Sequence, residues 1–206
     1  MLRILGKAAS INVRKVLWTC AELGIGFERE DWGSGLRSTA EDSFLALNPN
    51  AMVPVIVDDG FVLWESNTIC RYLCNQAQSD LLPADVRERA RVEQWMDWQA
   101  TELNNAWRYA FMALVRRSPA HADPAQIAAG AANWNRHIGI LERHLAANGP
   151  YAAGARFTLA DVVLGLSVNR WMLTPIERPH MPAVLDYYER LGERPGFRAH
   201  GRNGEP

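Results

Sequence analysis

Cysteine is scarce in this chain: three residues in 206, Cys20, Cys70 and Cys74. An odd, low number does not make a disulfide framework. Cys70 and Cys74 are four residues apart, on one face of a helix, but no histidine lies near them in sequence to complete a zinc set. All three read as small core residues of a protein kept reduced. The five histidines (His121, His137, His144, His180 and His200) make no metal-binding pattern, so no metal site is expected. No apolar run approaches the ~18 residues needed to cross a bilayer, and no membrane partner is expected. The first residues lack an apolar signal core, so a cytoplasmic location is expected. An excess of either charge is also missing. Lys plus Arg is 22 against 23 for Asp plus Glu, for a net charge of −1. That balance speaks against a nucleic-acid partner and against a polybasic membrane anchor. Tryptophan, by contrast, is plentiful, with eight residues.

What is present divides the chain in two. Leu2 to Leu5 is a short apolar strand signal. Val13, Val16, Leu17, Cys20 and Leu23 follow at helical spacing and stop at Gly24 and Gly26. Phe27 to Asp31 reads as a short strand, Trp32 to Thr39 as a loop, and Ala40 to Leu47 as a short helix. Val53–Val57 and Phe61–Trp64 flank Asp58-Asp59-Gly60, the strongest hairpin signal in the chain. From Glu65 the period is helical again. The order is βαβ, a helix, then ββα. Ala77 to Asp85 reads as a linker, after which strand signals vanish. Val86 to Arg117 is expected as one long, tryptophan-rich helix. A helix from Pro124 carries Ile127, Ala131, Trp134, Ile138, Leu141 and Leu145, and Pro182 opens a last helix to about Leu191. Thr158-Leu-Ala-Asp161 has the form of a capping box. Gly196 to Pro206 is expected to be mobile. The expected class is α+β in two domains, with boundaries at 1–78 and 85–206.

Four segments carry a family resemblance: Ser10-Ile-Asn12-Val-Arg-Lys-Val-Leu-Trp18, Asn48-Pro49-Asn50-Ala-Met52-Val53-Pro54, Leu63-Trp64-Glu65-Ser66-Asn67 and Phe157-Thr158-Leu-Ala-Asp161. In this order and spacing they resemble the cytosolic glutathione S-transferases, over nearly the whole chain. The resemblance implies a thioredoxin-like N-terminal domain, an all-helical C-terminal domain that contributes the electrophile pocket, a homodimer, and glutathione as co-substrate with no metal.

The reaction needs the glutathione thiol ionised, since the thiolate is the nucleophile and a free thiol titrates near ~8.5. A donor at the N-terminal end of a helix lowers that value without acting as a base. Ser10, between the first strand and first helix, fits the role, and Asn12 can share it or hold it outright. Alone, both also read as helix caps. No tyrosine precedes Tyr72, and no cysteine stands at Ser10. Met52, Val53 and Pro54 resemble the family's cis-proline loop, whose free backbone groups pair with the cysteinyl part of the peptide. Glu65 and Ser66, at the start of the third helix, are expected to hold the γ-glutamyl ammonium and carboxylate. Many members carry Gly-Lys or Gly-Gln before the Val-Pro pair. Ala51-Met52 stands there instead, which leaves the glycyl carboxylate to the Trp32 to Thr39 loop, where Arg37 is the only cation. Trp107, Tyr109, Phe111 and Trp171 are candidates for the electrophile pocket between the domains. Trp95, Trp98 and Trp134 are expected in the core or at subunit contacts.

The sequence thus points to a glutathione transferase acting on small apolar electrophiles, a detoxifying type of reaction. Two alternatives stand beside it. One is another glutathione-dependent enzyme (disulfide or peroxide reduction, isomerisation, dehalogenation). The other is a non-catalytic member that binds glutathione or a partner.

Overall fold

The computed structural model describes the whole chain, Met1–Pro206. Four strands form one sheet in the order β2-β1-β3-β4: β1 (Leu2–Leu5), β2 (Phe27–Glu30), β3 (Val55–Asp58) and β4 (Phe61–Trp64). β1 runs parallel to β2 and antiparallel to β3, and β3 runs antiparallel to β4. The period of two along each strand sorts the side chains onto two faces. Leu2, Ile4 and Ile56 face α1 (Ile11–Leu23) and α3 (Ser66–Gln76). Leu5 and Val55 face the other way, onto Trp32 and the Phe44 of the short helix α2 (Asp42–Leu45). Asp59 and Gly60, both at positive φ, make the two-residue hairpin turn that Asp-Gly favours. Gly24, at φ 66, closes α1 with its N–H on the Cys20 carbonyl, the left-handed cap that glycine adopts without a Cβ penalty.

Everything after α3 is helical: α4 (Val86–Trp98), α5 (Asn104–Leu114), a 3₁₀ turn (Pro119–His121), α6 (Pro124–Asn148), α7 (Leu159–Leu173), α8 (Pro182–Gly192) and α9 (Pro195–His200). This is a thioredoxin-like sheet domain followed by a helical one. No helix is long and apolar enough to cross a membrane.

Two expectations need correction. The single helix over Val86–Arg117 is interrupted: Gln99–Leu103 form a π turn between α4 and α5. A π turn carries no composition signal, so helical periodicity runs straight through it. The segment after α3 packs onto the helical domain, with Leu82 buried and the Leu81 carbonyl accepting from Leu159 N at the start of α7. The tail is ordered rather than mobile. It forms α9, and the Glu205 and Pro206 carbonyls accept from Arg14 at 2.8 and 2.7 Å.

Helix α7 is buried on every side, and its N-terminus carries the expected capping pair. Asp161 accepts from Thr158 N at 2.8 Å, and its other oxygen accepts from Ala152 N and the Tyr187 hydroxyl. Burial raises its carboxyl to about 6 against the pull of those bonds. The two domains share one continuous core, centred on Trp18 of α1. A Cβ on Gly196 would lie 2.5 Å from Trp18, and one on Gly165 would lie 2.6 Å from Leu191 and 3.1 Å from Trp18. These glycines let α9 and α7 close onto the tryptophan, and α1 is thereby held between the domains.

Candidate glutathione site

Helix N-termini in this chain are of two kinds. Asp85 caps α4 by accepting from Arg87 N and Glu88 N, and Asp123 caps α6 by accepting from Ala125 N at 2.8 Å. The ends of α1 and α3 have no side-chain cap, although Ser10 and Glu65 occupy their N-cap positions. The simple capping reading of Ser10, Asn12, Glu65 and Ser66 therefore fails at these two ends. Their first N–H groups stay open, which gives each end a partial positive charge and free donors.

Both open ends meet at one cleft of about 120 Å³, lined by Asn12, Asn48, Asn50, Met52, Val53, Pro54, Glu65 and Ser66. Between them lies the loop before β3. Its Val53–Pro54 bond is cis, and the Val53 N–H and C=O enter no hydrogen bond. Asn48 fixes this loop from below. Its buried side chain donates to the Met52 carbonyl at 2.8 Å and accepts from Asn50 N at 3.0 Å. Glu65 sits at φ 73, in a region costly for a residue with a side chain, about 1–3 kcal/mol. That conformation turns the exposed Glu65 to the mouth of the cleft while α3 starts at Ser66. The arrangement offers a free N–H and C=O pair for an extended peptide, open helix ends for carboxylates, and a carboxylate for an ammonium.

The residues expected from sequence divide here. Asn12, Met52, Val53, Pro54, Glu65 and Ser66 all line the cleft, and Ser10 does not. The Ser10 hydroxyl has no hydrogen-bond partner, and its backbone C=O opens α1 by accepting from Arg14 N. Arg37 is occupied elsewhere: its guanidinium stacks 3.8 Å over Trp32 and its Nε donates to Glu41. Trp107 and Phe111 lie one turn apart on α5, in edge contact. Tyr109 points to another side and packs on His121, while Trp171 is buried and donates to Asn135 on α6. Trp95 and Trp134 are buried, and Trp98 packs against the core.

Sequence reasoning did not single out the polar network behind the cleft. Lys15 is 2% exposed and donates to Gln99 at 2.8 Å and to Asn67 at 3.2 Å. Asn67 directly follows Ser66 and also donates to the Met96 carbonyl. Gln99, fully buried in the π turn, donates to Asn104 and to Ser167 of α7. Asn104 in turn accepts from the Trp107 indole at 3.0 Å. Burial lowers the Lys15 ammonium to about 8. A lysine inside the apolar stripe of α1, at the position between Val13 and Val16 from which no exposed face remains, was the available signal. The cysteines stay outside the site. All three are buried, and burial raises Cys20 to about 12 and Cys70 to about 11.

Comparison with known proteins decides the family. Residues 9–76 match the description "Glutathione S-transferase, N-terminal domain", and residues 124–190 match "Glutathione S-transferase, C-terminal domain". The chain is 34% identical to Glutathione S-transferase GstB of Escherichia coli (strain K12) over 201 residues, 96% of each chain. The chain belongs to the glutathione S-transferase family. It is similar in structure to the theta class glutathione S-transferase of Xanthomonas axonopodis pv. citri with glutathione bound. The TM-score is 0.92 at 36% identity, covering 97% of this chain and 96% of the other. It is also 31% identical to the Disulfide-bond oxidoreductase YfcG of Escherichia coli (strain K12), over 85% of this chain and 82% of that one. The thioredoxin-like and helical pair of domains is thus the family's architecture, as the sequence motifs implied.

Proposed function

We propose that this glutathione S-transferase binds glutathione in the cleft between α1 and α3 and ionises its thiol there. The thiolate then attacks a small electrophile with an apolar body. The observation that carries this reading is the unpaired Val53 backbone beside two uncapped helix ends. In it, the cysteinyl part of glutathione pairs with the Val53 N–H and C=O as an added strand. The γ-glutamyl carboxylate takes the Ser66 hydroxyl and the N–H groups of α3, and its ammonium meets Glu65. This pairing delivers the sulfur to the N-terminus of α1.

There the Asn12 side-chain N–H donates to the thiolate, and the Ser10 hydroxyl is the second donor. Each donor favours the anion over the thiol, and each unit of pKa lowering corresponds to about 1.4 kcal/mol. No base is needed, since the proton leaves to solvent. The enzyme's contribution is ionisation plus orientation of sulfur toward the electrophile. The family's homodimer and a cytoplasmic, detoxifying role belong to the same reading. The half-exposed Phe61 and Trp64 on edge strand β4 support a subunit contact on that side.

The test is to titrate bound glutathione against pH by thiolate ultraviolet absorbance, in wild type, Asn12→Ala and Ser10→Ala. The expected result is a bound-thiol pKa well below ~8.5 that rises in Asn12→Ala. Binding with an unshifted thiol would defeat the ionising mechanism.

A further inference from the structure

Arg170 is the only arginine or lysine in α7, a helix buried on all sides. It is 3% exposed, and no acceptor in the protein meets any of its side-chain N–H groups. Its guanidinium lies 4.1 Å from the Phe111 ring centroid and 4.5 Å from that of Trp107. Two further arginines stand beside it. Arg14 of α1 is 1% exposed, and Arg116, just beyond α5, sits over Phe111 at 5.4 Å. None of the three is in an ion pair, whereas Arg71, Arg194 and Arg202 all are. The tail carbonyls satisfy the terminal nitrogens of Arg14 but leave its Nε without a partner. Burial, and after it repulsion from neighbouring arginines, lowers both Arg14 and Arg170 from the usual arginine value. The charge of Glu205 acts on Arg14, whereas no carboxylate is among the groups that act on Arg170.

A buried guanidinium without a carboxylate is costly unless something negative completes it. Aromatic faces stabilise it in part and hold its plane in place, so that its N–H edge is preset for a planar oxyanion. The location ties it to the reaction. Trp107 is joined through Asn104, Gln99 and Lys15 to Asn67, next to Ser66 in the glutathione cleft. Helix α1 presents Asn12 to that cleft and carries Arg14, two residues on, to the arginine cluster.

We propose that the electrophile carries a carboxylate on its apolar body, and that Arg170, stacked on Trp107 and Phe111, binds that group as the specificity determinant of the second-substrate pocket. This rests on the transferase reading for its reaction but not for its binding. The reaction with such a substrate is a displacement. The glutathione sulfur donates its electron pair to carbon, the S–C bond forms, the carbon–halogen bond breaks, and halide leaves with its electron pair.

The experiment compares 4-(chloromethyl)benzoate with benzyl chloride as substrates, and unreactive 4-methylbenzoate with 4-methylbenzamide as ligands followed by tryptophan quenching. The ligand titrations are run with and without glutathione. Wild type is expected to prefer the anion in both pairs by at least tenfold. Arg170→Met is expected to abolish the preference, and Arg170→Lys to restore part of it. If wild type binds the benzamide as well as the benzoate, the inference is overturned, and that comparison needs no folded variant. If both ligands discriminate as expected while the glutathione thiol stays unshifted, the transferase reading fails and the anion site stands. A preference unchanged in Arg170→Met would also overturn the proposal.

Discussion

The two sides of α1 are built on opposite principles. Toward the sheet domain, the cleft is made of backbone: an unpaired Val53, two open helix ends and a loop held by Asn48. Toward the helical domain lies a cluster of long side chains: Arg14, Trp107, Phe111 and Arg170, drawn from α1, α5 and α7. A backbone site suits a ligand that never changes, since most substitutions leave N–H and C=O groups in place. A side-chain site can be re-specified one residue at a time. On the proposed reading, one fold keeps a constant nucleophile and leaves the electrophile open.

The sharpest way to break this comparison is at Asn12, the proposed thiolate donor that lines the cleft. Asn12→Ala should lower kcat/KM about a hundredfold, as loss of a single anion donor does. Ser10→Ala, outside the cleft lining, should cost closer to tenfold. Steady-state kinetics on both variants checks the ranking, and the reverse order would move the donor to Ser10. Ser66→Ala comes next. Losing a hydroxyl bond to a carboxylate, about 1.5–3 kcal/mol, should weaken glutathione about 10–100-fold with little change in kcat at saturation. Calorimetric titration reads the affinity directly.

Smaller effects test how the two sides are joined. Gly196→Ala drives a methyl into Trp18 and should cost about 1–3 kcal/mol, a fall of several degrees in Tm that calorimetry would show. The smallest effect is at Lys15. Its folded value, about 8, lies below the 10.5 of an unperturbed lysine. Between those values the unfolded chain binds more protons, so this group makes stability rise with pH, by at most about 1.4 kcal/mol per unit. Lys15→Met should flatten urea-derived stability between pH 8 and 10.5. A wild-type curve with no rise there would mean that Lys15 is more hydrated than its 2% exposure suggests.

The same contrast explains what the sequence could show. The cleft residues stand in short runs (Met52-Val53-Pro54, Glu65-Ser66), because neighbours on a loop or helix end stay neighbours in the fold. Each run keeps its own turn or start signal. The strands were legible for the same reason, the Asp59-Gly60 hairpin most of all. The arginine wall has no such run: residues 14, 107, 111, 116 and 170 meet only after the domains pack. Their one trace was a lone basic residue in a helix that is otherwise mostly apolar. Tail order was hidden similarly, since its anchor, Arg14, lies 191 residues from Glu205.

The π turn at Gln99–Leu103 has a consequence for how such a pocket can change over time. Each residue of an α-helix advances the next by about 100°. A π turn holds about one residue more than the α turn it replaces, so it takes up an extra residue without turning the helix beyond it. Deleting one residue from Gln99–Leu103 would therefore restore regular winding and leave Trp107 and Phe111 on the face that meets Arg170. The same deletion inside α5, just before Trp107, would swing both rings off Arg170. The turn is thus the one place in this long helix where a residue such as Gln99, with its bonds to Lys15 and Ser167, is gained or lost while the aromatic face stays in register.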